Sequence, residues 1–192
     1  MLDRILARIS TICLVLAGVL SVVLIARLTN FDATEKFSYA IRSIQRMTAP
    51  SFDDAVQRYR SGQLSVKDYK RLGHDYLDNY RSKPEVQVTE GGSLYRVLHQ
   101  GNLGLLEDPS KVEVKFHVQF VDGTVLDDTY KSKSVRLPLA ALVPSWKEVL
   151  PMHPVGTVLE IVTPSEQAYR EFGDDRIPPY SVLVSRVEIV GG

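Results

Sequence analysis

Ten residues near the middle of this chain leave little freedom in how they can fold. Over Lys111–Phe120 every second residue is apolar: Val112, Val114, Phe116, Val118 and Phe120 alternate with Glu113, Lys115, His117 and Gln119. Successive side chains of a strand point to opposite faces, so this period of two describes a strand with one dry and one wet face. Asp122-Gly123 follows, a pair suited to the tight turn of a hairpin, and residues 124–126 are expected to return as a second strand. A strand with one dry face needs further strands and something to cover it.

The rest of the C-terminal half supplies both. Leu94–His99, bounded by Gly91-Gly92 and Gly101-Asn102, reads as a strand, as do residues 135–139, 158–162 and 181–190. The cover is the stretch 142–150. Proline is tolerated at the first turn of a helix, and Pro144 sits where such a turn would start. Val143, Trp146, Val149 and Leu150 then recur at helical spacing. A helix this short is marginal by itself, so it must lie on the sheet. The expected class is α+β: an antiparallel, twisted β-sheet wrapped on one short helix, here over residues 84–192.

Two segments precede it. Residues 9–26 are uncharged and mostly apolar, with Arg4 and Arg8 before them and Arg27 after. At about 1.5 Å per residue such a helix is roughly 27 Å long, near the thickness of a hydrocarbon core. A cleaved signal peptide has a shorter apolar region and an A-x-A-like site, and no such site follows the run. The expectation for residues 1–30 is an uncleaved transmembrane signal anchor. It places the globular part on the extracytoplasmic side, the periplasm in a bacterium. Residues 31–83 read as short helices. Phe37, Ile41 and Ile44 share a face, as do Phe52, Val56 and Tyr59, and then Val66, Tyr69, Tyr76 and Tyr80. Ser51 before Asp54 and Ser65 before Asp68 are capping arrangements. Two uses fit these stripes: an arm that pairs with a second chain in a homodimer, or helices folded back on the domain or on each other.

Charge and chemistry narrow the function. Lys and Arg together number 23, as do Asp and Glu, which leaves no electrostatic case for nucleic acid. The single cysteine, Cys13, permits no intrachain disulfide. His74, His99, His117 and His153 lack metal-ligand spacing, so neither metal nor cofactor is expected. Asp127-Asp128 and Asp174-Asp175 are neighbours in sequence. Neighbours on a strand face opposite ways, which suits turns or caps better than an acid–base pair.

Four pieces then stand in a recognisable order: Val121-Asp122-Gly123-Thr124-Val125-Leu126-Asp127, Leu142-Val143-Pro144-Ser145-Trp146, Pro164-Ser165-Glu166-Gln167-Ala168-Tyr169 and Ile177-Pro178-Pro179-Tyr180-Ser181-Val182-Leu183-Val184. In that order the chain resembles the FKBP-type peptidyl-prolyl isomerases, and with its apolar N-terminus and helical middle it is similar to the Mip and FkpA-like secreted branch. The resemblance implies rotation about X–Pro bonds of polypeptide substrates. The barrier, about 18–20 kcal/mol, comes from resonance planarity. A pocket that binds the twisted form better than the planar one lowers it without a covalent nucleophile.

It also implies roles. Trp146 would floor the pocket under the proline ring. Leu142 and Val143 would line its edge, with the Val143 N–H on a substrate carbonyl. Tyr169 would donate to the prolyl carbonyl, Asp127 would stand at the wall and Ile177 would close the far side. The chain departs from the family at Phe116 (a tyrosine there), at Leu126, Val135 and Ser185 (aromatics there), and at Ser145 (a glycine there). Ser185 also interrupts the apolar row Leu183, Val187, Ile189, so it is expected to bond a backbone group or face the pocket. These departures keep a second reading open: a catalytically weak FKBP-like binding module serving an envelope or secretion assembly.

Overall fold

The computed structural model describes residues 52–108 and 110–192. The 9–26 run and the Phe37, Ile41, Ile44 stripe lie outside them. Among the described residues no helix is long and apolar enough to cross a membrane.

The alternating stretch is strand β3 (Lys111–Phe120), flanked on both sides. Seven strands form one antiparallel sheet. β1 (Gln87–Val88), β2 (Leu94–His99), β6 (Val158–Thr163), β7 (Leu183–Gly191), β3 and β4 (Val125–Asp128) lie side by side in that order, and β5 (Val135–Pro138) also pairs with β3. The last strand of the chain is therefore central. It runs against β3 from Phe120↔Leu183 to Glu113↔Gly191 and against β6 from Thr163↔Leu183 to Val158↔Glu188.

One face carries Val112, Val114, Leu159, Ile161, Val187 and Ile189, all fully buried. They share a cluster with Trp146, Val149 and Leu150 of the short helix, Pro144–Val149, which continues as a 3₁₀ turn over Leu150–Met152. Burying Val149 and Leu150 contributes roughly 1.5–3 kcal/mol each, which offsets the cost of nucleating so short a helix. The helix starts at Pro144, as expected, and Leu142 and Val143 before it are extended, with φ −77° and −62°. A residue before proline is disfavoured in the helical region.

The opposite face is covered at one end by helices from the middle segment. Helix α1 is Ala55–Arg60 and α2 is Val66–Arg81, so the helix at Trp146 is α3. Ser65 caps α2 as expected: its hydroxyl accepts from the Asp68 N–H at 3.1 Å and donates to the Asp68 carboxylate at 2.7 Å. α1 lacks such a cap. Asp54 precedes it at φ 53° with no side-chain capping bond, and Ser51 is outside the described residues. Leu77 and Tyr80 of α2 cluster with Leu94, Val162 and Val184. The Tyr80 hydroxyl donates to Glu160 Oε1 at 2.7 Å. Gly73 lets α2 approach closely, since a Cβ there would lie 2.9 Å from Val182 Cγ2. These helices fold back on the sheet, the second of the two uses their stripes allowed. The described residues lie in one compact unit.

Candidate active site

A cleft of about 190 Å³ opens between α3, β4 and the loop before β7. Its floor holds buried residues: Trp146, Val118, Thr163, Leu183 and Ser185. Its walls are Phe116, Leu126, Asp127, Ala141, Leu142, Val143, Tyr169 and Arg176.

α3 sets the floor. Its rotation buries Trp146 to 6% exposure, and the Phe116 ring meets the indole edge-on, with centroids 5.4 Å apart and planes at 67°. Such a pair adds about 0.5–1.5 kcal/mol beyond area burial. The carbonyl of Val143 accepts from the N–H groups of Trp146 and Lys147. Its own N–H has no protein acceptor among the described residues. Ser145 is fully buried behind Trp146 and its hydroxyl pairs with the Thr163 hydroxyl at 2.9 Å.

β4 contributes two consecutive residues to one wall. The register slips between Val118↔Asp127 and Gln119↔Val125, which leaves Leu126 as an extra residue. Bulges re-aim side chains in this way, so both Leu126 and Asp127 reach the cleft. Asp127 is exposed at the rim, and its Oδ1 accepts from the Asp128 N–H at 2.9 Å. Asp128 turns away to His117, 3.3 Å distant. The N–H of Tyr130 holds its carboxyl below the usual range, helped by the His117 contact. The two carboxylates are thus split, as neighbours on a strand should be.

Tyr169 follows a 3₁₀ turn at Ser165–Gln167. Burial pushes its phenol above the ordinary value, with Asp174 adding to the effect. It stays a neutral donor at physiological pH, and its hydroxyl has no protein partner among the described residues. The next loop is fixed by Asp174, whose Oδ1 accepts from the N–H groups of Arg176 and Ile177, each at 2.7 Å. Arg60 of α1 donates to the Arg176 carbonyl, and the Val56 N–H donates to Asp122 Oδ2 at 2.9 Å in the β3–β4 turn. One short helix therefore ties both loops that border the cleft.

Of the ten residues singled out in the sequence, eight meet here: Phe116, Leu126, Asp127, Leu142, Val143, Trp146, Tyr169 and Ser185. Two do not. Ile177 is 1% exposed and joins the core cluster of Ala55 and Val56, because Asp174 turns its loop so that Arg176 faces the cleft instead. Val135 is half-buried on β5 opposite Val114. Val118, Ala141, Thr163, Leu183 and Arg176 complete the lining. Val118 shares a strand face with Phe116, and Leu183 with Ser185, so the i±2 rule could have found both. No three His, Cys, Asp or Glu side chains gather in a metal-binding group among the described residues.

The sequence profile of the FKBP-type peptidyl-prolyl cis-trans isomerases matches residues 106–190, which span all of this cleft's lining. Over these residues the chain is similar to the FKBP-type family. The FKBP-type 22 kDa peptidyl-prolyl cis-trans isomerase of Escherichia coli (strain K12) is 34% identical over 139 residues, 71% of this chain and 65% of that protein. The outer membrane protein MIP of Legionella longbeachae is 27% identical over 144 residues, 72% of this chain and 61% of that protein. The chain thus spans less than two thirds of the length of these relatives. The crystal structure of a peptidyl-prolyl cis-trans isomerase from Pseudomonas syringae superposes with TM-score 0.60 at 26% identity, over 66% of this chain and 94% of that one. FkpA from Escherichia coli shares the fold, with TM-score 0.62 at 23% identity, over 91% of this chain and 78% of that one. The matched region holds the Trp146 indole in its floor with Phe116 edge-on to it, and hydrogen-bond donors at the walls. That arrangement can hold a small apolar ring and donate to carbonyl oxygens beside it.

Proposed function

We propose that this chain is a peptidyl-prolyl cis-trans isomerase of the Mip and FkpA kind, acting on exported polypeptides from a membrane anchor at residues 9–26. The observation that carries the reading is the convergence of the Trp146 floor, the unengaged Val143 N–H and the unengaged Tyr169 hydroxyl on one cleft. In this mechanism the proline ring rests on the indole, and Leu142, Val143 and Leu126 exclude water around it. Val143 and Tyr169 hold carbonyl oxygens of the substrate backbone. The twisted imide carries less charge separation than the planar one, so a largely apolar cleft favours it, and the barrier falls by differential binding. No bond to the protein forms.

The envelope location is supported by the apolar run with its flanking arginines and by the outer-membrane designation of the Legionella relative. Asp127 favours weaker catalysis than a fully furnished site would give. With phenylalanine at 116 no hydroxyl reaches that carboxylate, and it turns instead to the Asp128 N–H.

The test is cis/trans exchange of a short X–Pro peptide, followed by NMR with the purified full-length chain and with Trp146→Ala. Acceleration that Trp146→Ala abolishes, with the variant still folded, supports the reading. A folded wild type that accelerates nothing sinks it, and favours a binding module that co-purifies with fixed partners.

A further inference from the structure

We infer that Ser185 is a substrate-binding donor, its hydroxyl bonding the carbonyl oxygen of the residue before the proline, and that it tightens binding at the expense of turnover. The inference rests on the isomerase reading above. Ser185 lies on β7 in a row otherwise made of Leu183, Val187 and Ile189. It is 2% exposed and lines the cleft. Its hydroxyl has no hydrogen-bond partner among the described residues. Thr163, its diagonal neighbour across the β6–β7 register, is already committed to Ser145. Unlike the sealed Ser93 hydroxyl, its oxygen opens onto the cleft, so its partner is whatever fills the cleft and takes it from water.

The chemistry of the occupant selects the partner. Proline has no N–H, so an X–Pro segment presents carbonyl oxygens here and needs donors. Several donors at the cleft lack a protein acceptor among the described residues: the Val143 N–H, the Tyr169 hydroxyl and the Arg176 guanidinium at the walls, and the Trp146 indole N–H and the Ser185 hydroxyl on the floor. The carbonyl of the preceding residue is bonded directly to the ring nitrogen. It enters as deep as the ring itself, whereas the other carbonyls lie farther along the chain toward the rim. The floor donors are at that depth, and of these the indole N–H is fixed in its ring plane, in a side chain already packed against Phe116. A hydroxyl also rotates, so it can follow an oxygen that swings as the imide turns.

The same bond has a kinetic consequence. Resonance places negative charge on that oxygen in the planar imide, and twisting removes part of it. A donor on the oxygen therefore holds the planar ground state more firmly than the twisted transition state. Interactions stronger in the ground state lower KM and lower kcat together.

The experiment compares wild type, Ser185→Ala and Ser185→Thr in the full-length chain. Affinity for the tetrapeptide Ala-Leu-Pro-Phe is read from Trp146 fluorescence, and turnover from NMR exchange at saturating peptide. Ser185→Ala should weaken binding about fivefold, the worth of one ordinary hydrogen bond, and raise the saturated exchange rate. Ser185→Thr, which keeps the hydroxyl, should bind within about twofold of wild type. Thermal melting of Ser185→Ala should equal or exceed that of wild type, because no protein bond is lost. Equal affinities of wild type and Ser185→Ala overturn the assignment, as does a saturated rate that falls in Ser185→Ala. If wild type binds the peptide through Ser185 but accelerates no exchange, the isomerase reading fails and the donor assignment stands. If wild type does not bind the peptide, both fall.

Discussion

Replacing Tyr69 by phenylalanine should stabilise this protein in one background and destabilise it in another. The Ser181 hydroxyl donates to the Pro178 carbonyl at 2.7 Å in a buried setting. It has one hydrogen, so the bond to the Tyr69 hydroxyl, 2.9 Å long and also buried, must be donated by the tyrosine. The relay runs from α2 through Ser181 to the loop that borders the cleft. In wild type, Tyr69→Phe removes a donor but leaves Ser181 bonded to Pro178, and should cost about 1 kcal/mol. Ser181→Ala strands both the tyrosine hydroxyl and the proline carbonyl. At about 1–3 kcal/mol per unsatisfied group, it should cost roughly 3 kcal/mol. In that variant the phenol is a liability, so adding Tyr69→Phe should recover about 1–2 kcal/mol. Urea unfolding followed by the single tryptophan, Trp146, measures all four proteins, with a constant m-value as the check on two-state behaviour. If Tyr69→Phe costs as much in the Ser181→Ala protein as in wild type, the two hydroxyls are uncoupled and the relay does not exist.

Three further outcomes follow from the same geometry. Tyr169→Phe should leave stability within about 0.5 kcal/mol of wild type, because its hydroxyl bonds no described protein group, yet reduce kcat/KM about fivefold; a large loss of stability would place the hydroxyl in the core. Gly173 has φ 63°, and a Cβ there would lie 2.2 Å from the Ile177 carbonyl oxygen. Gly173→Ala should cost at least about 2 kcal/mol, a fall in Tm of about 4–8 °C, and should displace Arg176 from the cleft wall; an unchanged Tm refutes this. Burial lowers the pKa of His153 below 6.5, its ring packed edge-on to Tyr95 at 5.5 Å. The unfolded chain then binds the proton more readily, so this group's contribution is constant above pH 6.5 and is lost as pH falls from 6.5 through the folded value. NMR titration of the ring should show the depressed pKa, and a value at or above 6.5 refutes it.

The parts of the fold set by local pattern were legible in the sequence. The alternation of Val112 to Phe120 identified β3 and its dry face, and the spacing of Trp146, Val149 and Leu150 identified the covering helix. The Ser65 cap was plain for the same reason: its partner is three residues away. What pattern alone could not show was set by distant contacts. β4 carries a bulge opposite Val118, so Leu126 and Asp127 both face the cleft although alternation would separate them. Ile177 and Arg176 exchange places because Asp174 folds their loop, and α1 then fixes the Arg176 carbonyl from about a hundred residues upstream. The stripes of α2 were visible, but whether they met a second chain or their own sheet depended on Val182 and Ser181. Those residues lie on the other side of the domain in sequence.

The central place of β7 also fixes when this protein can exist. β3 and β6 do not pair with one another; each pairs with β7, which follows both in sequence. Until that strand arrives, the nascent chain holds two halves of a sheet with an open edge on each. The main ladder spans nearly eighty residues, from Glu113 to Gly191. Such long-range closure is slow, and unpaired edges invite association with other chains. A nascent copy cannot complete this sheet progressively from its N-terminal strands, and its cleft is not formed until β7 is inserted. During that interval it has the same exposure to aggregation as any unfolded polypeptide around it.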